Sequence, residues 1–149
     1  MIIQAVQRLL LEDDSISQVV TDRVHFAERP IKTPTPAIVL TRGPSSIAQT
    51  LKKPAGFTVG SVNVNVLTPT YLTAADLARK VDAVLNGFTG KVPIVDEDET
   101  QMLLQVDYLK NRGETDLGSE HRDGEGQIAT HGIEVEYGFS IQNTLTPAT

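Results

Sequence analysis

The densest group of reactive side chains is Asp96-Glu97-Asp98-Glu99, four consecutive carboxylates. Such a cluster could hold a divalent cation or act as general acid and base, since both tasks use paired carboxyl oxygens. Either task needs convergence. Four neighbours in a strand or turn point in different directions, so the run reads as a solvated charge block. Glu120-His121-Arg122-Asp123-Gly124-Glu125-Gly126 superficially resembles a calcium loop. It lacks the alternating ligands, central Gly and terminal bidentate Glu that an EF-hand requires, and a flexible acidic loop is the plainer reading. His25, His121 and His131 have no partner at metal-ligand spacing. Neither a nucleophile elbow nor a phosphate-cradling glycine loop is present. Lys52-Lys53 could touch an acidic partner or a phosphate, although two lysines are also an ordinary surface feature. No catalytic residue, metal site or cofactor is implied, and the chain reads as non-enzymatic.

The whole composition narrows the choice further. The 149 residues suit one domain spanning 1–149, long enough to bury a core without covalent staples. The absence of cysteine excludes disulfides, thiol catalysis and Cys-ligated zinc. Apolar runs are too short to span a bilayer and the first residues do not form a secretory signal, so a soluble protein without membrane contact is expected. Net charge is −6, unevenly spread. Residues 1–95 hold ten basic and seven acidic side chains, whereas 96–125 hold three basic and ten acidic. That acidity repels phosphate and disfavours sequence-reading DNA binding.

The elements that must position these residues follow from periodicity. Ile2, Ile3, Val6, Leu9 and Leu10 predict an amphipathic helix over 2–12, broken by Asp13-Asp14-Ser15, with Ser15 capping a short turn through Val20. Val24 and Phe26 suggest a short strand, and Pro30, Pro34 and Pro36 an extended connection to a second strand at 37–42. Gly43-Pro44 opens a predicted loop through 56. Val62, Val64 and Val66 alternate as in a half-buried strand, and a bulge at Gly60 would bring Phe57 and Val59 into phase. A helix over about 73–86 has Thr73 and Asp76 as its capping pair and Gly87 as its stop. Met102, Leu104, Val106 and Tyr108 share one strand face, and Ile133, Val135, Tyr137, Phe139 and Ile141 share another. Between them, 111–130 reads as a long acidic loop, and 144–149 as a flexible tail.

The fold class is therefore α+β: a mostly antiparallel sheet with two helices packed on one face. The predicted core is Val6, Leu9, Leu10, Val64, Leu77, Val81, Val84, Leu85, Leu104, Val106, Val135 and Tyr137. The other face, with Asn63, Asn65, Gln105, Asp107, Glu134 and Glu136, is polar.

This ordered set resembles the tail-completion (tail-terminator) proteins of long-tailed bacteriophages. The similarity lies in the opening helix Ile2–Leu11, the Asp-rich break, Thr21-Asp22-Arg23-Val24, and the strand Pro36-Ala37-Ile38-Val39-Leu40. The alternating valines, the helix Ala74–Leu85 and the closing strand Ile133–Ile141 extend it over roughly 2–142. The resemblance implies a virion protein, assembled in the host cytoplasm, that forms a ring, commonly a hexamer, at the head-proximal end of the tail. Its implied partners are copies of itself, the tail-tube protein and the head connector or neck protein, with DNA passing unread through the bore. Asp96, Glu97, Asp98, Glu99, Glu114, Asp116, Glu120, Asp123 and Glu125 are candidates to face that bore or a neighbouring ring, and Lys52 and Lys53 a docking loop. The alternatives are a neck or head-completion connector or another minor tail protein. From a different class, a small acidic ligand- or metal-binding module remains.

Overall fold

Hydrophobic spacing at two periods builds the molecule. In α1 (Ile2–Glu12), Ile2, Ala5, Val6 and Leu10 are buried on one stripe. Asp13 then ends α1 and caps α2 (Asp14–Val20), its carboxylate accepting from the Ile16 N–H at 3.2 Å. Ser15, the expected cap, instead donates to that same carboxylate at 2.5 Å. An aspartate placed before the helix offers an acceptor to the free amides, which a serine already inside the first turn cannot do. The computed structural model describes residues 1–26, 35–49, 54–122 and 129–148, apart from the side chains of 45–49, 54–55, 119–122 and 129–130.

The strands are β1 (Val24–Phe26), β2 (Ala37–Gln49), β3 (Pro54–Thr68), β4 (Gly90–Val95), β5 (Gln101–Arg122), β6 (Ala129–Gln142) and β7 (Thr146–Pro147). They form one sheet in the order β1-β2-β3-β6-β5-β4, with β7 beside β5. Every pairing is antiparallel except β1 with β2. The third helix, α3 (Tyr71–Leu85), buries Ala74, Leu77, Ala78, Val81 and Leu85 against this sheet. Thr70 caps it, accepting from the Thr73 N–H, so the helix starts earlier than the Thr73/Asp76 pair suggested. Asp76 pairs with Lys80 at 3.2 Å and with Arg79. Gly87, at φ +84, turns the chain away, and its N–H reaches the Leu109 carbonyl at 2.8 Å.

The structure is thus the expected α+β sheet with helices on one side, with α2 as a third short helix. The predicted core residues all lie in or against one cluster, Leu9 and Val84 at its margin. On the far face Asn63 stands opposite Glu136 and Asn65 opposite Glu134.

Several details differ from the sequence expectations. The register of β3 with β6 runs unbroken from Phe57 to Thr68, so Gly60 is not a bulge. The slip lies across the ladder, between Arg42 and Ser45 in β2, where Pro44 has no N–H to give. Gly43 there lies so close to Ser61 that a Cβ would sit 2.1 Å from its Oγ. A second bulge at Asp107 reverses the phase of β5, turning Tyr108 out and Leu109 into the core. Segment 43–56 is no open loop: residues 43–49 and 54–56 belong to β2 and β3. Segment 111–130 is a hairpin as well, β5 continuing to Arg122 and β6 starting at Ala129. Its glycines mark register shifts after Asn111 and Asp116. The Asn111 and Asp116 side chains accept from the Gly113 and Gly118 N–H groups, both at 2.8 Å. Thr146–Pro147 pairs with Met102 and Leu103, so this part of the expected flexible tail is fastened to the sheet.

Candidate functional site

The acidic residues fall into two separate places. Asp96–Thr100 is the turn between β4 and β5. The Asp96 Oδ1 accepts from the Asp98 and Thr100 N–H groups at 2.9 Å each, and Glu99 sits at φ +61. Asp96 is therefore spent on folding the turn, which leaves Glu97, Asp98 and Glu99 exposed on it. Glu114 and Asp116 are exposed on the outer part of β5, beyond the end of its pairing with β4. Glu120 lies further along the same strand. Asp123, Glu125, Lys52 and Lys53 lie outside the described residues.

Register fixes how these places relate. Phe57 pairs with Gln142 and Thr68 with His131, so β3 and β6 define two ends of the sheet. The β2–β3 hairpin and the Asp96–Glu99 turn extend from the first end. The β5–β6 hairpin extends from the second. Roughly 50 Å of strand, at ~3.3 Å per residue, separates Gln101 from Asp116. The described acidic residues are thus divided, Asp96 to Glu99 at one end and Glu114, Asp116 and Glu120 toward the other, instead of forming one patch. Among the described residues, no three His, Asp or Glu groups are placed to hold a metal ion.

The second hairpin is braced where it leaves the body. The buried Tyr137 hydroxyl donates to Asp82 of α3 at 3.0 Å, and Asn111 Nδ2 donates to the same carboxylate oxygen at 2.8 Å. The Asn111 N–H reaches Asn86 at 3.0 Å. Burial, then the Asp82 carboxylate, push the Tyr137 phenol above its usual range. Further out, His131 Nε2 lies 2.7 Å from Asp116 Oδ1, and its ring meets Tyr71 edge-on at 5.1 Å.

Sequence reasoning missed the seam between the sheet edges. The side chain of Gln7 in α1 donates to the Val24 carbonyl on β1 at 3.2 Å, while Gln4 accepts from the Val95 N–H on β4 at 3.0 Å. One helix therefore bridges both edge strands of a curled sheet. Pro93 occupies the position in phase with Val95, where an outward amide would otherwise be offered. Proline within an apolar strand was the available signal for an edge. Beside the seam is an open groove of ≈ 510 Å³ that includes Leu11, Phe26, Pro93, Ile94 and Val95. A second groove shares Ile94 and Val95 and is bordered by Asp96, Glu97 and Asp98.

No family model and no curated protein matches the sequence. Solved structures do match, and they define first a class of fold. A chain described as belonging to the virion of the native gene transfer agent (GTA) particle superposes with a TM-score of 0.61 at 19% identity. The alignment covers 94% of this chain and 93% of that one. A second solved structure, at 16% identity over 80% of this chain and 79% of its own, has a TM-score of 0.45 and is too distant to weigh. The architecture described above is therefore one that a chain of a gene transfer agent particle also has. None of the helices in the described residues is long and apolar enough to cross a membrane.

Proposed function

We propose that the chain is a structural component of a phage-like virion, and within it a tail-completion (tail-terminator) subunit. It forms a ring, taken to be a hexamer, at the head-proximal end of the tail tube and joins the tube to the head connector, assembling in the host cytoplasm. The observation that carries this is the fold shared with the gene transfer agent chain over nearly the full length of both. Two long hairpins directed to opposite ends of one body also suit a part that must touch one partner above and another below. The proposal assigns no enzymatic step, since its task is contact and closure.

In this reading the acidic residues form two collars instead of one lining. Asp96, Glu97, Asp98 and Glu99 belong to one end, and Glu114, Asp116 and Glu120 to the other, with Asp123 and Glu125 next to the latter in sequence. Either collar would repel passing DNA through the summed field of the ring. Replacing each set separately by Asn and Gln should slow DNA release only for the set at the bore. Unaltered release from both would remove the charge role.

The decisive experiment is co-expression with the tail-tube protein and, separately, with the connector of the same particle. Rings of this chain capping tubes of defined length are expected. Tubes of uncontrolled length without the chain attached would refute the terminator role. Attachment to the connector alone would move the chain to the neck.

A further inference from the structure

We propose that copies of this chain join head to tail, the first turn of α3 of one copy seating in the α1–β4 groove of the next. The inference deepens the ring reading and rests on it for its biological setting, although its chemistry stands on the chain's own surface. The projecting half of the contact is Leu72, 78% exposed, with Tyr71 beside it at 53%. These are the two most exposed large hydrophobics among the described residues. They occupy a helix start, where acidic residues are favoured, yet the first turn of α3 contains none.

The receiving half is the groove beside α1, whose wall includes Leu11, Phe26, Pro93 and Val95. Phe26 and Val95 are themselves exposed. Apolar side chains paired across two such surfaces would leave water together. Charge fits in the same orientation. The adjoining rim is acidic through Asp96, Glu97 and Asp98. Arg8, the cation that lines the groove itself, is engaged by Glu12 at 2.6 Å. The start of α3 presents the positive end of a helix dipole and has no acidic residue in its first turn, while further along the helix Arg79 and Lys80 balance Asp76 and Asp82.

Placement decides the kind of contact. Tyr71 closely follows Thr68, whose partner is His131 at one end of the sheet. Val95 pairs with Gln101 at the other end. One copy cannot fill its own groove across that distance. Projection and groove are different patches, so the contact is heterologous and closes into a ring when the rotation permits. A groove-to-groove dimer would set acidic rim against acidic rim.

The chain lacks cysteine, so introduced thiols are its only ones. Leu72→Cys and Val95→Cys variants are mixed and treated with a short thiol-specific cross-linker, at high protein concentration and again on assembled tail tubes. The expected product is a mixed dimer, with the double variant giving a ladder that ends at a closed ring. Leu72→Glu should weaken self-association by roughly tenfold or more, about 1.4 kcal/mol. The proposal is overturned if the mixed product is no greater than that of Leu72→Cys with Lys91→Cys, or if Leu72–Leu72 dimers dominate. Capped tubes without the 72–95 product would sink this contact and leave the terminator role standing. The 72–95 ladder without capped tubes would do the reverse.

Discussion

Tyr137→Phe removes one oxygen from the brace between the body and the second hairpin, and its cost can be worked from the contacts. A hydrogen bond to a charged group contributes about 1.5–3 kcal/mol. Asp82 is partly exposed and keeps Asn111 at 2.8 Å, so the lower figure applies, ~1.5 kcal/mol. For a domain of this size that lowers the melting midpoint by about 3–6 °C. Asp82→Ala should cost more, because it also strands the Asn111 amide and leaves a buried hydroxyl unpaired. A double-mutant cycle read by thermal and urea unfolding isolates the shared part. The folded phenol keeps its proton above the unfolded value of about 10. Its contribution is complete below that pH and is lost as pH rises through the higher folded value. The alkaline slope of stability should therefore flatten in Tyr137→Phe. Parental stability in Tyr137→Phe, with no coupling to Asp82, would refute the brace.

Other substitutions test other parts of the fold. Leu77→Ala or Leu85→Ala should each cost roughly 2–5 kcal/mol in urea titrations, and an unchanged midpoint would show that α3 does not pack on the sheet. Asp96→Ala should destabilise by about 1–2 kcal/mol, since two turn amides lose their acceptor. Glu97→Gln should be near neutral, and equal losses would contradict the distinct role of Asp96. Gln4→Ala combined with Pro93→Val should expose the β4 edge and raise non-specific association in light scattering, whereas behaviour equal to the parent would mean the edge is guarded elsewhere.

Much of the body was legible because its residues obey one period each. The stripe from Ala74 to Leu85 fits a helix and little else, and Ile133 to Ile141 alternates cleanly, so both elements and their buried faces could be read directly. Errors gathered where a strand contains the residues of a loop. Gly113, Asp116 and Gly118 read as turn formers, yet in the sheet they make bulges whose stray amides are met by Asn111 and Asp116. The phase of Tyr108 was lost for the same reason, since one extra residue at Asp107 exchanges the two faces. Bulges depend on the partner strand, and a single sequence does not display its partners. The candidate site suffered most. Asp96 to Glu120 lie close in sequence, but β5 carries Glu114, Asp116 and Glu120 away from the Asp96–Glu99 turn toward the opposite end. Gln4 and Gln7 look like ordinary polar positions until the two sheet edges are seen to meet them.

The length of β5 has a mechanical consequence. The same strand is held by β4 near its start and by β6 along its outer reach, and β6 in turn is zipped to β3 over twelve paired positions. Antiparallel ladder bonds lie across the strands, so tension applied at the hairpin tip along the strand axis shears many of them at once. The load passes through the middle of the sheet to its far end without having to peel any strand away. Peeling is the weak direction, and it is open at the short strands, β1 with three paired residues and β7 with two. A hairpin built this way acts as a tie rod, stiff against pulling along its length and compliant to bending sideways at the bulges.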